Sequence, residues 1–88
     1  MNEASLFQNT PNPFESSTVI GFNLPEAAQA TLTVFDLAGK QIKKIDGNFA
    51  KGFNQITLES EDLNANGVLY YKLESGSFTA TRKMIIVN

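Results

Sequence analysis

The chain has 88 residues, 42% of them hydrophobic and 18% charged, with a net charge of −2 and no Cys, His or Trp. That is one domain's length, apolar enough to bury a core and too apolar for a typical disordered linker. Without His or Cys it lacks the usual nucleophile–base pairs and soft-metal ligands, and dispersed Lys and Arg at net negative charge argue against a nucleic-acid footprint.

Met1-Asn2-Glu3-Ala4-Ser5 has neither the basic start nor the apolar stretch of a secretory signal. These residues read as a linker remnant, with Met1 an expression start and any exported form cut from a longer precursor. No run approaches the roughly 18–20 apolar residues needed to span a membrane. Cysteine's absence fits either a reducing compartment or a disulfide-free extracellular protein and does not settle location.

Leu6-Phe7-Gln8 reads as a short first strand, stopped by Asn9-Thr10-Pro11-Asn12-Pro13-Phe14. The two prolines fix φ and push their predecessors into extended geometry, so this is a rigid, non-helical elbow. Thr18 to Leu24 alternates, with Thr18, Ile20, Phe22 and Leu24 sharing one face, and Pro25 ends it. Ala27 to Ala30 has helical composition but is too short to stand alone. Thr31 to Asp36 is β-branched and aromatic, with Leu32 and Val34 on one face.

Asp36-Leu37-Ala38-Gly39-Lys40 is a hairpin turn, Gly39 supplying the positive φ. Gln41 to Ile45 returns, and its Lys43-Lys44 pair marks an edge strand protected by charge. Asp46-Gly47-Asn48 reads as the next turn. Gly52 to Leu58 alternates again, and polar residues from Glu59 to Asn66 lead to Gly67. Val68 to Glu74 places Leu69, Tyr71 and Leu73 on one face, Ser75-Gly76-Ser77 turns the chain, and Phe78 to Val87 is the last strand, with a bend expected near Thr81. Seven short strands at this spacing predict a seven-stranded, antiparallel, immunoglobulin-like β-sandwich.

Candidate chemistry is thin. Glu59, Glu61 and Asp62 offer oxygen ligands for Ca²⁺, but their spacing matches no EF-hand loop and a solvated acidic connector explains them better. Tyr70, Tyr71, Phe53 and Phe78 are candidates for an aromatic platform. Alternation sends Tyr70 and Tyr71 to opposite faces, one to the core and the other to solvent, and core packing is the plainer role for such rings. The most informative segment is Arg82-Lys83-Met84-Ile85-Ile86-Val87, a basic pair before four apolar residues. Either it is a central strand buried on both faces, the commoner case, or one apolar row is left for a partner. An edge read by strand addition is a further way to use it.

The landmarks together resemble the type A C-terminal sorting domain of the type IX secretion system of Bacteroidota. Gln8-Asn9-Thr10-Pro11-Asn12-Pro13-Phe14 is similar to that family's Q-N-x-P-N-P-F opening, and Thr18 to Pro25 to its T-x-I-x-F-x-L-P strand. Leu32 to Lys40 resembles the next strand with its Asp-x-x-Gly-basic hairpin. Gly52-Phe53-Asn54-Gln55-Ile56, Leu63 to Val68 with Tyr71, and Thr81 to Val87 resemble the remaining blocks. Each block alone is common; in order they are specific. Two positions depart, Leu69 where the family often has an aromatic residue and Asn88 where many members end in a basic one.

The resemblance implies a single sorting domain over residues 1–88, with the pattern covering about 6–87. It would sit at the C-terminus of a secreted cargo, cross the periplasm, and deliver that cargo to the cell surface of a Gram-negative bacterium. Its implied partners are an outer-membrane shuttle β-barrel and a surface sortase that removes it. Lys83, Met84, Ile85, Ile86 and Val87 are the implied recognition residues, with Pro11, Asn12, Pro13, Gly39, Gly67 and Tyr71 setting the shape. The reading includes no catalysis, cofactor or metal. The alternative is a non-catalytic immunoglobulin- or fibronectin-like spacer, or a carbohydrate-binding accessory module of a secreted enzyme.

Overall fold

The computed structural model describes residues 3–87. Met1, Asn2 and Asn88 lie outside them, and with them the expected expression start and the non-basic final residue. In chain order the elements are β1 (Ser5–Leu6), β2 (Ser17–Leu24), β3 (Ala28–Phe35), β4 (Gln41–Phe49), β5 (Gly52–Glu59), α1 (Ser60–Leu63), β6 (Gly67–Ser75) and β7 (Phe78–Ile86). One antiparallel sheet has three strands in the order β1-β2-β5; the other has four, in the order β4-β3-β6-β7. The described residues form the expected immunoglobulin-like β-sandwich, with seven strands.

Alternation builds the core. Thr18, Ile20, Phe22 and Leu24 of β2 and Leu58 of β5 face Leu32 and Val34 of β3, Leu69, Tyr71 and Leu73 of β6, and Met84 and Ile86 of β7, all buried. Period-two side chains put each of these rows on the inner face of its sheet. Phe49 closes one margin edge-on against Phe22, with ring centroids 5.0 Å apart. Lys43 and Lys44 lie on β4, an outer strand of the four-stranded sheet, as their charge implied.

Three local expectations differ. Asp46-Gly47-Asn48 is not a turn but the C-terminal part of β4, opposite Thr31, Ala30 and Gln29, with the Thr31 hydroxyl donating to the Asp46 carboxylate. Because β3 starts early, at Ala28, its ladder extends β4 through a turn-prone triplet, and pairing overrides local propensity. The polar stretch after β5 contains the one-turn helix α1, whose Leu63 is 2% exposed and plugs the core. No bend interrupts β7: its register with β6 runs unbroken from Ser75↔Phe78 to Gly67↔Ile86.

The fourth difference matters most for function. The last strand is not central but an outer strand of the four-stranded sheet. Only one of its rows is buried against the opposite sheet.

Candidate functional site

Strand alternation divides the candidate recognition residues of β7. Met84 and Ile86 are fully buried and belong to the core. Lys83, Ile85 and Val87 lie in the other row; Lys83 is exposed, Ile85 half-buried and Val87 38% exposed. On the outer face Lys83 stands opposite Tyr70, and Ile85 opposite Val68.

The final residues of the outward backbone edge of β7, from Lys83 to Val87, are bonded to the chain's own opening segment. Residues 5–10 first run antiparallel along β2, pairing Ser5 with Asn23 and Leu6 with Phe22, then Thr10 with Val19. The Thr10–Pro11 and Asn12–Pro13 peptide bonds are both cis, and the turn they form carries the chain across to the other sheet. There the Phe14 N–H donates to the Ile85 carbonyl (3.0 Å) and the Val87 N–H to the Phe14 carbonyl (2.9 Å). The Asn12 Oδ1 accepts the Ile85 N–H (2.9 Å), and Gln8 Nε2 donates to the Lys83 carbonyl (2.7 Å). Phe14 itself is buried, anchoring this strap in the core. The residues of the opening motif therefore satisfy four of the edge groups that the end of an outer strand would otherwise present.

Beneath the strap lies a small polar network inside the sandwich. The Tyr71 hydroxyl donates to the Phe7 carbonyl (2.7 Å) and accepts the Asn9 N–H (2.9 Å). Asn9 is 2% exposed; its amide nitrogen donates to Thr18 Oγ1 (3.0 Å) and to the Pro11 carbonyl (3.2 Å), while its Oδ1 accepts from Gln8 Nε2 (2.6 Å). The Thr18 hydroxyl donates to the Pro11 carbonyl (2.9 Å). Among the described residues no buried side-chain polar atom lacks a partner, as a network at this depth requires. Burial pushes the Tyr71 phenol above its usual value of 10.0, against the opposing pull of the Asn9 bond and the Arg82 charge. Arg82 also reaches the strap, its Nε donating to the Leu6 carbonyl (2.7 Å).

The remaining shape residues are placed as follows. Gly67 opens β6 at φ +95° opposite Ile86, so it sets the start of the strand that carries β7. Gly39 has φ +86° in the β3–β4 hairpin, away from the strap. There the Asp36 carboxylate accepts the N–H groups of Ala38 (3.0 Å) and Lys40 (2.8 Å), the physical content of the Asp-x-x-Gly-basic pattern. Asn12, Gly67 and Tyr71 thus meet the last strand, the Pro11 carbonyl joins the network beneath the strap, and Gly39 stands in the β3–β4 hairpin.

Other candidates separate. Tyr71 is core and Tyr70 is 36% exposed, as alternation implied, while Phe78 packs on the core margin. Phe53 is 60% exposed and pairs instead with Phe7, at 6.1 Å between centroids. Glu59 precedes α1, and Glu61 and Asp62 stand in its single turn. No group of three or more Asp or Glu suited to a metal ion occurs among the described residues, and no helix there is long and apolar enough to cross a membrane.

Sequence reasoning gave no role to Asn9 or Thr18, yet one signal was present. Thr18 heads an otherwise apolar inward row, and a buried hydroxyl demands a partner. Which residue supplied it depended on how the opening segment crossed between sheets.

No curated protein matches the chain. The profile of a family described as a secretion system C-terminal sorting domain matches residues 10–87, from the turn between the sheets to the exposed end of the last strand. The chain belongs to this family of secretion system C-terminal sorting domains.

Proposed function

We propose that the folded sandwich is the address by which an N-terminally fused cargo is carried through a type IX secretion system to the cell surface. The observation that supports this reading most is the meeting of the opening and terminal blocks at one seam. Within the family match, the Asn12–Phe14 strap and the Lys83–Val87 strand bond to each other. The unit runs from about residue 6 to residue 87, passes the periplasm folded, and binds an outer-membrane shuttle β-barrel through Lys83, Met84, Ile85, Ile86 and Val87. Lys83, Ile85 and Val87 make the contact; Met84 and Ile86, being core, act by holding the strand in place. A surface sortase then removes the domain from its cargo. The domain does no chemistry, and its family is not known for catalysis.

The test is export of a signal-peptide-bearing fluorescent reporter carrying the domain at its C-terminus, in a Bacteroidota host with a type IX system. Truncation before the last strand is a poor comparison, because it deletes Met84 and Ile86 from the core. The comparison is the reporter with and without the whole domain. Surface or medium delivery only with the domain is expected; retention of both in the periplasm, with the domain folded, overturns the reading. The exposed Phe7–Phe53 pair is the one feature favouring the second reading, a spacer or carbohydrate-binding accessory. Retention in the periplasm together with polysaccharide binding lost on Phe53→Ala would establish it.

A further inference from the structure

We propose that the secretion partner reads the outer face of the four-stranded sheet (Lys83, Ile85 and Val87 of the last strand, with Val68, Tyr70 and Lys72 of β6) through an acidic-rimmed apolar patch on a folded protein. This rests on the sorting reading above and specifies its contact.

The edge of the last strand is the obvious alternative, and over its final residues, 83–87, it is largely occupied. Its carbonyls at Lys83 and Ile85 and its N–H groups at Ile85 and Val87 are already bonded to Gln8, Asn12 and Phe14. A partner adding a strand there would have to break these bonds and draw Phe14, which is 1% exposed, out of the core. The inward row is core. What the last strand still offers over this stretch is its outward row, and that row is continuous with β6 and β3: Ile85 beside Val68, and Lys83 beside Tyr70, which stands beside Phe35. Tyr70 and Val87 are exposed and Val68, Ile85 and Phe35 half-buried, so the apolar ground spans three strands.

Charge indicates the occupant. The molecule is net negative, at −2, yet the outward strand positions of the three-stranded sheet (Ser5, Ser17, Val19, Gly21, Asn23, Phe53, Gln55, Thr57, Glu59) hold no cation. On the four-stranded sheet Lys44 and Lys72 flank Thr33, and Lys83 lies next to Tyr70. That face's carboxylates, Asp46 and Glu74, both stand opposite Thr31 at the end away from Ile85. Lys72 spans the two zones, its Nζ 3.9 Å from Glu74 Oε2 and 5.5 Å from the centre of the Phe35 ring. An apolar patch edged by lysines is complementary to carboxylates around apolar side chains, the arrangement that guides protein association and orients the docked pair. An anionic lipid surface fits less well, because membrane recognition of this kind uses clusters of roughly four to eight basic residues, and here two acids share the face.

The same reporter tests it. Lys83→Glu and Tyr70→Ala are each expected to lower surface delivery about tenfold, the loss typical of an interface anchor. Lys83→Gln should fall between Lys83→Glu and the parent, and Phe53→Ala on the opposite face should export normally. Each variant domain is purified and melted, so that a loss of folding is not read as a loss of binding. Parent delivery with unchanged delivery of folded Lys83→Glu and Tyr70→Ala overturns the docking face and leaves the sorting reading standing. Failure of the parent itself overturns the sorting reading and the contact with it. Binding of the isolated domain to anionic phosphatidylglycerol vesicles, abolished by Lys83→Glu, would assign the face to a membrane and also overturn the proposal.

Discussion

Removing a single oxygen with Tyr71→Phe tests whether the polar network beneath the strap holds the opening segment in place. The hydroxyl accepts the Asn9 N–H and donates to the Phe7 carbonyl, and phenylalanine does neither. Asn9 is 2% exposed, so its orphaned N–H costs roughly 1–3 kcal/mol, the usual penalty for a buried donor left unpaired. The Phe7 carbonyl loses one donor in a part-buried bond, a smaller loss of about 0.5–1 kcal/mol. The sum, about 1.5–4 kcal/mol, corresponds to a drop in Tm of about 6–30 °C for a domain of this size. Denaturant and thermal unfolding of the isolated domain measure it, with the m-value unchanged because the core stays packed. Tyr70→Phe is the control, since that phenol sits on the outer face, and it should move stability by no more than about 0.5 kcal/mol. If Tyr71→Phe costs no more than Tyr70→Phe, the hydroxyl does not pin the strap and the account of the seam fails.

The same phenol sets an alkaline limit. Its folded value lies above the unfolded 10.0, so its contribution is complete below that pH and is lost as pH rises through the folded value. Stability against pH should therefore fall less steeply above 10.0 in Tyr71→Phe than in the parent; superimposable alkaline slopes would contradict this. Gly67→Val should cost about 1–3 kcal/mol from backbone strain alone, because φ is +95° while nothing lies within 4 Å of the added Cβ; a neutral melt would show that the strand start tolerates an L side chain. Asn12→Ala removes the acceptor for the Ile85 N–H and should cost only about 0.5–1 kcal/mol at this exposed site. Amide exchange at Ile85 should quicken while Tyr71, inside the sheet, keeps its protection, and unchanged exchange at Ile85 would mean the strap does not guard the edge.

What was legible in the residues was whatever alternation and turn chemistry decide locally. Thr18 to Leu24 and Leu69 to Leu73 each place one apolar row inward, the pattern of an all-β sandwich or barrel. Gly39 after Asp36 predicted its hairpin because a positive φ and a carboxylate accepting two N–H groups are properties of a few neighbouring residues. Asp46-Gly47-Asn48 misled for the same reason: as a triplet it favours a turn, and only pairing with β3 keeps it extended. The last strand shows the limit most clearly. Its sequence determined that Met84 and Ile86 share one face and Lys83, Ile85 and Val87 the other. Strand order decided that it lies at the margin of its sheet, and the crossing of the opening segment decided that the edge of its final residues is largely occupied. The first depends on β3 pairing with β6, from Phe35↔Tyr70 to Thr31↔Glu74, the second on contacts more than 60 positions apart, such as Asn9 with Tyr71, and on where two sheets meet, which no local pattern encodes.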